Sequence, residues 1–60
     1  MKNLKRFREQ RGYTQEELAH RAGISRVTIS KLESGKQKTT TNTTILALAQ
    51  ALDVPAGDLV

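Results

Sequence analysis

Residues 14–35 read TQEELAHRAGISRVTISKLESG, and their spacing predicts two short helices joined by a three-residue turn. Thr14 followed by Glu17 has the S/T-x-x-E spacing of a capping box, in which each side chain accepts an N–H group that a helix start leaves unpaired. Tyr13 and Leu18 are spaced to close over that start as a hydrophobic staple. Leu18, Ala19 and Ala22 then recur at helical spacing, and Gly23 supplies the left-handed residue that stops a helix without a Cβ clash. Ser25 is placed to cap the next helix, Ile24 and Ile29 repeat the staple spacing, and Gly35 ends it.

On a wheel of about 100° per residue, Ile29 and Leu32 share one face of residues 25–34, while Val27, Ser30, Lys31 and Ser34 share the other. The first face belongs to the core. Arg26 sits at the flank of the first turn, where a long side chain reaches past the helix end. An outward face that mixes basic, hydroxyl and apolar side chains suits the DNA major groove, since Arg and Lys bond guanine and an apolar group meets the thymine methyl. A surface valine is also ordinary, but Arg26 and Lys31 on the same side favour a contact role for Val27. In a unit of this kind the second helix lies in the groove.

The remaining periodicity is helical throughout, and five helices are expected. The first covers residues 3–11, with Asn3 as its cap, Leu4, Phe7 and Arg11 on the inward stripe, and Gly12 as its stop. Residues 36–42, KQKTTTN, carry no apolar side chain and read as an exposed loop. A fourth helix is expected over 43–52, with Ile45, Leu48, Ala49 and Leu52 inward. Asp53 breaks the pattern, and Pro55 suits the start of a short last turn, 55–59, that returns Val54 and Leu59 to the core. The expectation is one all-α domain over residues 1–60, with its helix-turn-helix unit at about 14–34. Arg8 and Glu33 both fall where burial is expected, and a buried charge needs a partner. A pair between them would fix the first helix against the third, the other reading being two side chains that snorkel to solvent.

Sixty residues carry ten Lys and Arg against six Asp and Glu, a net charge of +4. That balance favours an anionic partner such as nucleic acid. A chain this short buries only about 60% of its unfolded surface, which argues against a deep catalytic pocket. There is no cysteine, and no apolar run approaches the roughly 18 residues of a membrane span. No charged-then-apolar leader opens the sequence, so a cytoplasmic protein of prokaryotic or viral origin is expected.

TQEELAHRAG, ISRVTISKLESGK and ALAQALDV together resemble the helix-turn-helix domain of the phage-repressor and Cro-like family, also called the XRE family. The resemblance covers nearly the whole chain in one register. It implies a five-helix, lambda-repressor-like DNA-binding fold and a transcriptional repressor that binds double-stranded DNA as a homodimer on a palindromic operator. It further implies that Arg26, Val27 and Lys31 face base edges, and that Gln15 contacts phosphate while supporting a reader side chain. Thr28 and Ser30 are flanking phosphate candidates, Lys36 and Lys38 grip the next phosphates, and Arg8 with Glu33 matches a recurrent internal ion pair. Many relatives have a shorter, proline-containing loop after the third helix. Here Thr39, Thr40, Thr41 and Asn42 stand in its place, and a less rigid start to the fourth helix is expected. Many relatives also continue past this point into an oligomerisation or sensor domain.

The competing class is a protein-docking module of the same fold, such as an antitoxin that holds a toxin or an adaptor that holds polymerase. Leu46, Ala47, Leu59 and Val60 could supply its apolar surface, though a dimer seam uses them equally well. Enzymatic chemistry has little to build on. His20 is the one histidine, adjacent Glu16 and Glu17 diverge on a helix, and Gly12, Gly23 and Gly35 each end a helix rather than cradle a phosphate. No metal or cofactor is expected.

Overall fold

The computed structural model describes residues 1, 3–37 and 40–60. Among them run four α-helices, α1 (Leu4–Gln10), α2 (Gln15–Ala22), α3 (Arg26–Ser34) and α4 (Asn42–Leu52), followed by a 3₁₀ turn, Ala56–Asp58, with no strand. Helix α2 packs on both α3 and α4, α1 lies against α3, and the 3₁₀ turn closes on α4. Leu4, Leu18, Ile29, Leu32, Leu48, Leu52 and Leu59 are fully buried, one or two from each α-helix and Leu59 from just after the 3₁₀ turn, and Ala19 and Ala49 complete the core. Phe7, Tyr13, Ile24, Ala22 and Val54 pack around it, half-buried.

The start of α2 forms as its sequence dictates. Thr14 Oγ1 accepts from Glu17 N–H at 3.0 Å, and the Glu17 carboxylate accepts from Thr14 N–H at 3.1 Å. At its far end Gly23 adopts φ +69°, and Ile24 N–H reaches back to the Ala19 carbonyl at 3.0 Å. These bonds occupy carbonyls that the helix end leaves free and set the course of the chain into α3. Ser25 then caps α3 by accepting from Val27 N–H at 3.1 Å.

Four expectations need correction. Asn3 precedes α1 but makes no capping bond. Its Nδ2 donates instead to the Asp58 carbonyl at 2.8 Å, which ties the two ends of the described fold together. Arg11 is exposed rather than inward, because α1 ends at Gln10 and the guanidinium lies beside Asp53, 3.6 Å from Oδ2. The fourth helix begins at Asn42, one residue before its expected start, and Thr41 caps it: Thr41 Oγ1 accepts from Thr44 N–H at 3.3 Å, and the two hydroxyls meet at 3.1 Å. The fifth helix is a single 3₁₀ turn of three residues. Asp58 N–H donates to the Pro55 carbonyl and Leu59 N–H to that of Ala56, the i→i+3 pattern of such a turn, and this suffices to bury Leu59.

Candidate nucleic-acid interface

Helix α3 turns Ile29 and Leu32 into the core and leaves Arg26, Val27, Ser30, Lys31 and Ser34 exposed, with Val27 showing 60% of its surface. These outward side chains line one shallow cleft, and Lys36, just past the helix end, completes it. Thr28 is half-buried and absent from that lining. Lys38 lies outside the described residues.

A second cleft adjoins the first and shares Ser30 and Ser34 with it. Its other walls are Lys5 and Arg8 of α1, Gln15 at the start of α2, and Glu33. At its base Arg8 Nε donates to Glu33 Oε2 at 2.7 Å and Arg8 Nη2 to Oε1 at 3.2 Å. Arg8 Nη1 also donates to the Tyr13 carbonyl at 2.7 Å, and Gln15 Nε2 donates to Glu33 Oε1 at 3.1 Å. The side chains of Arg8 and Glu33 are only 12% and 5% exposed. One buried carboxylate thus binds α1, the start of α2 and α3 to each other. The hydrogen bonding that Arg8 donates to Glu33 raises the Arg8 pKa, burial opposes it, and the charges of Glu33 and Glu9 add to the rise. The guanidinium therefore stays charged, and Glu33 is never stranded near neutral pH.

The described cations divide by partner. Arg8 and Arg11 pair with carboxylates, Arg6 lies over the Phe7 ring at 5.0 Å, and Arg21 lies over the Tyr13 ring at 4.5 Å. Lys5, Arg26, Lys31 and Lys36 have no carboxylate within ion-pair distance among the described residues, and all four line the two adjoining clefts. Six described side-chain cations thus lack a carboxylate partner, and four of them lie along the exposed side of α3. The cleft on the outer face of α2 is different in kind, since Glu16 and Glu17 line it with His20 and Arg21. Lys5 and Ser34 line these clefts although the sequence did not single them out as contacts. The i, i+3 spacing of Lys5 and Arg8 places them on one helix face and could have pointed to Lys5.

Among the described residues no group of three or more His, Cys, Asp or Glu could hold a metal ion, and no helix is long and apolar enough to cross a membrane.

The family model described as helix-turn-helix matches residues 4–59. An uncharacterized HTH-type transcriptional regulator of Sinorhizobium fredii, y4dJ, is 43% identical over 58 residues, covering 97% of this chain and 74% of that protein. The uncharacterized HTH-type transcriptional regulator RghRB of Bacillus subtilis is 45% identical over 56 residues, which are 93% of this chain but only 40% of that protein. Among solved structures, SinR, a master regulator for biofilm formation, in complex with DNA, matches with a TM-score of 0.92 at 28% identity, over 95% of this chain and 90% of that one. The restriction-modification controller protein C.AhdI of Aeromonas hydrophila matches with a TM-score of 0.89 at 33% identity, over 97% of this chain and 86% of that one.

Proposed function

The chain belongs to the helix-turn-helix family of XRE-type transcription regulators, and from that premise we propose that it is a sequence-specific repressor of double-stranded DNA. The observation that carries this reading is the gathering of Lys5, Arg26, Lys31 and Lys36, none paired with a carboxylate, around the exposed face of α3. SinR, similar over 95% of this chain, is recorded bound to DNA. In the proposed complex α3 enters the major groove and presents Arg26, Val27 and Lys31 to base edges. Gln15, Thr28, Ser30, Lys36 and Lys38 face the sugar-phosphate backbone, and Arg8 with Glu33 holds the helices in register. Phosphate contacts displace counterions and supply affinity for any sequence, while good base contacts add discrimination of about 1–3 kcal/mol each.

One module of this size contacts few base pairs. Two copies related by a two-fold axis, with reading helices about 34 Å apart in successive grooves, would recognise a palindromic operator and obstruct polymerase. The relatives are bacterial, which supports a prokaryotic or phage origin and action in the cytoplasm beside the chromosome. No cofactor enters this mechanism.

Selection of bound sequences from a random duplex pool at two salt concentrations tests the proposal. Enrichment of a palindromic site, with affinity that falls steeply as salt rises, supports it. Absence of any duplex binding, together with salt-insensitive binding to a toxin or polymerase subunit, would instead favour a protein-docking module that uses apolar surface such as the exposed Leu46.

A further inference from the structure

We infer that Lys5 is a phosphate-binding residue that extends the interface from the reading helix onto α1. The inference rests on the DNA-binding reading and adds to it a contact on the flank of α3 that faces α1 and α2. Lys5 is exposed, lies in the first turn of α1, and lines the cleft formed with Gln15, Ser30 and Ser34.

Three observations separate it from an ordinary surface lysine. First, no carboxylate is within ion-pair distance of it among the described residues. The one acid in its cleft, Glu33, is already held by Arg8 Nε, Arg8 Nη2 and Gln15 Nε2, so its charge is offset from within the fold. Second, a helix start carries partial positive charge that favours acids and disfavours cations. The first turn of α1 nevertheless holds Lys5 and no acid, an arrangement the helix dipole does not favour. Third, Ser30 and Ser34 are common to this cleft and to the one lined by Val27 and Lys31, so the serine row separates the two. A helix seated in a major groove about 12 Å wide has a sugar-phosphate strand along each flank. Lys36 then faces one strand, and Lys5 with Gln15 faces the other.

Duplex binding measured across a salt series tests this with Lys5→Ala, Lys5→Arg and Arg11→Ala. Arg11→Ala removes the same charge from the far end of α1, where Arg11 lies beside Asp53. Loss of one phosphate contact lowers the magnitude of the slope of log affinity against log salt by about 0.9. Lys5→Ala is expected to show that drop and to weaken a selected duplex and a random duplex by the same factor, while Arg11→Ala keeps the wild-type slope and Lys5→Arg restores it. Urea midpoints for Lys5→Ala at or above wild type are expected, which separates a lost contact from lost folding. A wild-type slope in Lys5→Ala, or an equal drop in Arg11→Ala, overturns the role of Lys5 while the DNA-binding reading stands. A wild-type protein with no salt-dependent duplex binding overturns both.

Discussion

Arg8 and Glu33, 25 residues apart in the chain, meet through two hydrogen bonds of 2.7 and 3.2 Å with both side chains nearly out of water. Their attraction alone does not explain their value to the fold, since a buried pair also loses hydration. What matters is that each partner keeps the other from being stranded. The Tyr13 carbonyl and the Gln15 amide occupy two further positions around them.

Glu33→Ala or Arg8→Ala is therefore expected to lower stability by about 3–5 kcal/mol. At about 4–8 °C per kcal/mol for a domain of this size, the thermal midpoint should fall far enough to unfold much of the protein at ambient temperature. Arg8→Met combined with Glu33→Leu should recover most of the loss in a circular-dichroism melt, because no charge is then left alone. A double variant as unstable as the sum of the single ones contradicts this. Because the folded Arg8 pKa lies above its ordinary value, the contribution of its charge is complete below that ordinary value and is lost only in strong alkali. Arg8 therefore brings no pH dependence near neutrality.

Thr41 and Thr43 are neighbours in a threonine-rich stretch with opposite expected effects. Thr41→Ala removes the cap of α4 and should cost about 1 kcal/mol. Thr43→Ala lies inside the helix, where alanine is the better helix former, and should gain a few tenths of a kcal/mol. Chemical denaturation of both variants checks the contrast, and equal effects would place the helix start elsewhere.

Gly23→Ala should cost about 1–2 kcal/mol from backbone strain alone, because φ is +69° while an added Cβ would meet nothing within 4 Å. Gly57 is equally open but has no positive φ, so Gly57→Ala should be neutral or stabilise by up to about 1 kcal/mol through the unfolded chain. Urea midpoints of the two variants give the comparison.

The parts legible in the sequence are those set by neighbours in the chain. Thr14 with Glu17, Gly23 and Ser25 act within four residues of themselves, so spacing reveals their roles. Asn3 is not legible as a tether in the sequence, because its partner, the Asp58 carbonyl, lies 55 residues away. Thr41 was hidden among residues of its own kind, with no apolar pattern to mark where α4 begins. The wheel of α3 separates core from outward face and the spacing of Lys5 and Arg8 places them on one face of α1, but the cleft that joins Lys5 to Ser30 and Ser34 forms only when α1 packs beside α3. Which cations lack a carboxylate partner is a property of the folded surface, and no spacing in the chain reveals it.

The claim on which the functional account depends is that Lys31 reads bases while Lys36 grips the backbone. Affinities of Lys31→Ala and Lys36→Ala for a selected duplex and for a random duplex, measured at one salt concentration, test it most directly. The account predicts that Lys31→Ala loses more affinity for the selected duplex than for the random one, whereas Lys36→Ala weakens both by the same factor. Equal losses on the two duplexes for both variants would contradict it and remove α3 as the reader.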